Sequence, residues 1–80
     1  MKAKIHITLK PGVLDPQGKA IEGALKGLGF DGLSNVRQGK EIEITLAETD
    51  EAAARAKVEE MCKKLLANPV MENYAIELLA

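Results

Sequence analysis

Aromatic side chains are scarce in this sequence: tryptophan is absent, and Phe30 and Tyr74 each stand alone. A surface that holds single strands by stacking bases on rings needs more than that. Excess charge of one sign is missing too. Eleven Lys and Arg against twelve Asp and Glu leave a net charge of −1, so no field draws in nucleic acid or an anionic membrane. The single cysteine, Cys62, excludes an internal disulfide and cannot make a zinc site by itself. Long apolar runs are absent. The first residues, Met1 to His6, alternate and read as a strand rather than a signal peptide or membrane span. The expectations are no nucleic acid, no membrane and a cytoplasmic location. No Walker pattern is present. Gly27 to Gly32 does fit G-x-G-x-x-G, but it follows a helical pattern and precedes an extended one, the reverse of a dinucleotide site. It reads as a helix C-cap and turn.

What remains is a patterned chain of 80 residues, one domain over 1–80. A domain this small buries only about 60% of its unfolded surface, and self-association is a common remedy. Ala3, Ile5, Ile7 and Leu9 alternate with Lys4, His6, Thr8 and Lys10, the period of a strand with one buried face. From Asp15 the period becomes helical: Ala20, Ile21, Ala24, Leu25 and Leu28 share one side, with Gly27 and Gly29 as C-cap candidates. A second strand is predicted over Leu33–Arg37 and a third through Ile42, Ile44 and Leu46. They are joined by a three-residue hairpin loop, Arg37-Gln38-Gly39, with Gly39 in a left-handed G1 bulge. An odd loop length keeps Val36 and Ile42 on one face. Thr49 or Asp50 caps a second helix whose stripe is Ala54, Val58, Met61, Cys62 and Leu65, and Asn68-Pro69 stops it. Tyr74, Ile76 and Leu78 form the last strand.

The order β-α-β-β-α-β predicts an α+β two-layer sandwich. Its sheet has four antiparallel strands in the order 4-1-3-2, with both helices on one face, either ferredoxin-like or in a strand-swapped variant. The other face is expected to be wet, with Lys4 and His6 opposite Glu43 and Glu41, or else to serve as an oligomer interface. His6 lacks a neighbouring catalytic partner and reads as a surface histidine paired with glutamate. Cys62 lies on an apolar stripe and reads as a buried structural thiol.

Two connections are more constrained than linkers need to be. Lys10 to Gly18 holds Pro11, Gly12, Asp15, Pro16 and Gln17; Pro11 and Pro16 fix φ, and Gly12 is read as permitting a turn that a Cβ would resist. Asp15-Pro16 is a helix start. Leu65 to Tyr74 holds Asn68, Glu72 and Tyr74. Asp15 and Asn68 have roles as helix-end residues and Tyr74 as a core aromatic. Capping alone does not account for Pro11, Gly12 and Gln17. A third segment, Arg37, Gln38 and Lys40, puts charge and an amide at the predicted hairpin tip.

With Val36 to Lys40 between them, these segments resemble the PurS family across essentially the whole chain. That family is the small S subunit of phosphoribosylformylglycinamidine synthase, the glutamine-dependent enzyme of purine synthesis. The resemblance implies a subunit with no catalytic residues and no bound cofactor of its own, likewise no metal. A large synthase subunit would use ATP and Mg, and a glutaminase subunit would release ammonia at its own cysteine nucleophile. This chain would bridge the two and support ammonia transfer, acting as a homodimer or higher oligomer. The expected partner-binding residues are Pro11, Gly12, Asp15, Gln17, Arg37, Gln38, Lys40, Asn68, Glu72 and Tyr74. The rival is a small-molecule-binding regulatory domain of ACT type, which shares the element order. An acylphosphatase-like enzyme fits less well, since Lys10 to Leu14 offers little of an anion cradle, and a copper chaperone would need a C-x-x-C pair.

Overall fold

The computed structural model describes residues 1–80. The elements are β1 (Lys2–Leu9), α1 (Pro16–Gly27), β2 (Gly39–Thr45), α2 (Glu51–Met61) and β3 (Glu72–Leu79). β1 is central and antiparallel to both neighbours, giving the order β2-β1-β3. Ile5 lies opposite Ile42 on one side and Ile76 on the other; Ala3 is likewise set between Ile44 and Leu78. Period-two alternation therefore collects one apolar face, and α2 packs on it alongside β3. Ala3, Ile5, Ile7, Val58, Cys62 and Ala67 form the buried core.

The sheet has three strands, not four. Leu33–Arg37 is not a strand: Asn35, at its centre, is left-handed with φ 56, and no backbone–backbone hydrogen bond involves residues 31–37. The hairpin is absent as well. No turn intervenes between Leu33 and β2, and Gly39 is the first residue of β2, without a positive φ. Nor do both helices cover one face. α1 packs substantially on no other element, and Gly18 is its only buried residue. The chain measures 48 × 26 × 15 Å with a radius of gyration of 15.9 Å, where a compact 80-residue domain has about 12 Å. α1 and the segment returning from it form an arm beside the sheet.

The second helix departs from its predicted stripe at one point. Its last turn, Cys62–Leu66, widens to π geometry, with the Ala67 N–H donating to the Cys62 carbonyl at 3.0 Å. The wider turn rotates Leu65 out, leaving it 83% exposed, and Leu66 takes the inward place. Asp50 is the cap, accepting from the Ala53 N–H at 3.0 Å. Gly29, just past the end of α1, has φ +96, as its predicted capping role requires.

On the open face Lys4 lies opposite Glu43 and His6 opposite Glu41, in the expected pairs. Lys4 Nζ is 3.7 Å from Glu43, and His6 sits between Glu41 at 3.3 Å and Glu77 at 3.7 Å. These side chains are about a third to a half exposed, so each pair contributes at most about 1 kcal/mol.

Candidate functional site

Three segments distant in sequence meet at one end of the sheet. The β1–α1 connection leaves β1 at Leu9, and the Lys10 N–H donates to the Met71 carbonyl at 2.8 Å, tying it to the start of β3. Asp15 then joins α1 to β2. One carboxylate oxygen accepts the Gly18 N–H at 2.9 Å, the helix cap predicted for it; the other accepts the Gln38 N–H at 2.7 Å. The Gln38 amide also donates to the Gln17 side-chain oxygen. Arg37 closes the assembly from outside. Its Nη2 donates to the Lys10 and Val13 carbonyls, both at 3.0 Å, and to Leu9 at 3.4 Å. One guanidinium thus satisfies carbonyls that a loop would otherwise leave to water.

The result is an open groove of about 570 Å³ between the starts of α1 and β2, with Glu72 on its far wall. Asp15 and Gln17 line it from one side; Gln38 and Lys40 line it from another, over a floor of Ile7 and Leu9. Five of the ten candidate residues therefore converge: Asp15, Gln17, Gln38, Lys40 and Glu72. Arg37 and Pro11 lie outside this groove, in a shallower hollow with Thr8, Leu9 and Asn35. Tyr74 packs against the core from β3 and borders a third hollow with Lys10, Pro69 and Glu72. Asn68 shapes the turn before β3. It accepts the Val70 N–H at 3.0 Å through its side chain, and its own N–H donates to Glu72 at 2.7 Å.

Gly12 does not have the role expected of it. Its φ is not positive, and a Cβ there would meet nothing within 4 Å. The glycines the site needs are Gly18, where a Cβ would collide with the Val36 carbonyl oxygen and lie 2.8 Å from Asp15, and Gly39, where it would lie 2.6 Å from the Ile7 carbonyl oxygen. A glycine one turn inside a helix start, three residues after an acidic cap, is the signal that could have marked Gly18. Gly18 and Gly12 should respond oppositely to Ala. Gly18→Ala costs about 1–3 kcal/mol by overpacking, although Gly→Ala inside a helix otherwise stabilises by about 1 kcal/mol. Gly12→Ala stays within about 0.5 kcal/mol of the parent. Urea unfolding of both variants checks the contrast.

The site also sets an acid limit. The Gln38 and Gly18 N–H groups, with the nearby Arg37 charge, hold the Asp15 carboxyl below the ordinary range against the opposing effect of burial. The Val36 N–H, which donates to Glu22 at 3.5 Å and so links α1 to the returning segment, lowers the Glu22 carboxyl. Glu48 is lowered by the Asp50 N–H and Lys57. Each carboxyl binds a proton less readily when folded than when unfolded. Their contribution is therefore full above the unfolded values, about 4, and is lost as pH falls through the lower folded values. The urea midpoint should be level from pH 7 to about 5 and drop below about 4, with a shallower drop in Asp15→Asn. Identical slopes for the two proteins would contradict this role for Asp15.

Neither lone reactive side chain belongs to the groove. His6 is on the open sheet face. Cys62 is wholly buried, and that burial pushes its thiol pKa up, away from the thiolate a nucleophile requires.

Comparison with known proteins covers the same span. The family model described as PurS, phosphoribosylformylglycinamidine (FGAM) synthase, matches residues 2–80. The PurS subunit of that synthase from Synechocystis sp. is 52% identical over 77 residues, covering 96% of this chain and 77% of that protein. The crystal structure of Methanocaldococcus jannaschii PurS superposes with a TM-score of 0.85 at 49% identity, covering 95% of this chain and 92% of that one. A chain in the structure of PurLQS from Thermotoga maritima does so with a TM-score of 0.88 at 31% identity, covering 98% and 95%. The groove, its three converging segments and the sheet that carries them all fall within these matches, and the chain belongs to the PurS family.

Proposed function

We propose that this chain is the S subunit of a phosphoribosylformylglycinamidine synthase in de novo purine biosynthesis. It is a non-catalytic cytoplasmic subunit that bridges the ATP-dependent synthase and glutaminase subunits and supports ammonia transfer between them. ATP and Mg belong to the large partner. The observation that carries this reading is the PurS match over residues 2–80, joined by the likeness to a chain of PurLQS. The groove supports it: a polar rim on a rigid frame is suited to holding a protein surface. An architectural subunit raises the rate by keeping two sites in register, because misplaced components lose the advantage of proximity. The ACT-type reading has no such support, since the family match points elsewhere. The chain works as a homodimer or higher oligomer, in keeping with its extended shape.

Sedimentation velocity with the large and glutaminase subunits from the same source tests the assignment. Co-sedimentation of this chain with them is expected. A chain that sediments alone at micromolar concentrations, with glutamine and nucleotide present, would contradict it.

A further inference from the structure

The polar groups of the groove divide unequally into those the chain uses for itself and those it leaves free. The anions are largely engaged. Asp15 accepts an N–H on each oxygen, from Gly18 and Gln38, and has Arg37 Nε 4.0 Å away. Glu72 Oε1 accepts the Asn68 N–H at 2.7 Å. The start of α1 is engaged too. Pro16 has no N–H to give, the Gly18 N–H goes to the Asp15 side chain, and the Lys19 N–H donates to the Asp15 carbonyl at 3.0 Å. Arg37 is committed to the carbonyls of the β1–α1 connection.

Lys40 is the exception. Its ammonium lines the groove without an ion pair or a hydrogen bond to any part of the chain. Lys10, in the adjoining hollow that shares Glu72, has no ion pair either. Gln17 adds two more donors, because its oxygen takes the Gln38 amide and both of its own N–H groups stay free. Free acceptors are fewer, chiefly Glu72 Oε2 and the Gln38 side-chain oxygen. Around the groove and its two neighbouring hollows, Lys10, Arg37 and Lys40 stand against Asp15 and Glu72, a net charge of +1 on a chain whose net charge is −1.

We infer that the groove seats an acidic, extended segment of a partner subunit, with one carboxylate of that segment paired to Lys40 Nζ. Backbone carbonyls of the segment accept from Gln17, one of its N–H groups donates to Glu72 Oε2, and an apolar side chain beside the carboxylate covers Leu9 on the floor. Two observations select a peptide over a free anion. Glu72 repels a bare phosphate but accepts a peptide N–H, a group that phosphate lacks. The groove, at about 570 Å³, is also far larger than one ion needs, since a water molecule's share of the liquid is about 30 Å³. Charge complementarity of this kind sets register and steers approach as well as adding affinity. Such a seat rests on the subunit reading above for its partner and adds the chemistry by which that partner is recognised.

Calorimetric titration of the full chain into the assembled large and glutaminase subunits tests the seat, with circular dichroism checking the fold of each variant. Lys40 is exposed on β2 and its side chain supports nothing else in the chain by ion pair or hydrogen bond. Lys40→Glu should weaken binding by about 30-fold or more and Lys40→Gln by about fivefold or more, while Lys40→Arg stays within about threefold of the parent. Raising NaCl from about 0.05 to about 0.3 M should weaken the parent more steeply than Lys40→Gln, because a charge pair at a rim is screened. Inorganic phosphate titrated into the chain alone should give no saturable heat. A parent that binds, with Lys40→Glu binding equally well, would overturn the acidic seat and leave the subunit reading standing. Lys40→Arg as weak as Lys40→Glu would do the same, as would saturable phosphate binding that Lys40→Gln abolishes. A parent that does not bind the assembled subunits would overturn the subunit reading and the seat together.

Discussion

Ile5→Ala should lower the unfolding free energy by about 2–5 kcal/mol, the range for removing most of a fully buried aliphatic side chain and leaving a cavity. Ile5 is 0% exposed, lies between Ile42 and Ile76 at the centre of the sheet, and belongs to a core of only six buried residues. Domain stabilities are about 5–15 kcal/mol, so this one change removes a large fraction of the total. Leu65→Ala is the control. Its place on the predicted helix stripe gives it the standing of a core residue, but the π turn exposes it, and its replacement should fall within about 0.5 kcal/mol of the parent. Urea unfolding at one fixed protein concentration compares them directly. Equal losses from the two would mean that the second helix keeps its regular winding.

The triple variant Gln17→Ala/Gln38→Ala/Glu72→Ala should weaken binding to the assembled synthase and glutaminase subunits at least tenfold, with the fold unchanged. These side chains stand on the rim of the groove, and the backbone ties beneath them, Asp15 to the Gln38 N–H and Lys10 to Met71, do not depend on them. Arg37 is excluded from the variant because its guanidinium is committed to the chain's own carbonyls, so its loss would reshape the groove as well as its surface. Calorimetric titration with circular dichroism as the fold check decides the point. Unchanged affinity would move the docking surface away from this end of the sheet.

The residues show where sequence is an adequate guide. β1, β3 and the second helix are legible because their periodicity is strict and their partners lie within the same chain. The cross-strand pairs Lys4–Glu43 and His6–Glu41 follow once parity is combined with the adjacency of the two strands. The fourth strand was misplaced for a definite reason. Alternation through Val36 and Ile42 states which faces would agree, but not that the two segments pair; the left-handed Asn35 (φ 56) interrupts the run. Leu65 departs from the predicted stripe because one i→i+5 turn shifts the residues that follow it. In the groove, Asp15, Gln17, Gln38 and Glu72 were legible as members of constrained segments. Their convergence was not, since it depends on Arg37 reaching three carbonyls more than twenty residues away. Gly12 and Gly18 exchanged importance because the crowding that demands a glycine comes from Val36, remote in sequence.

The central claim is that this chain is an obligatory architectural subunit. The most direct test is glutamine-dependent product formation by the large and glutaminase subunits from the same source, assayed with and without it. The account predicts activity only when the chain is present, restored in proportion to its concentration until the complex is saturated. Equal activity in its absence would contradict the account.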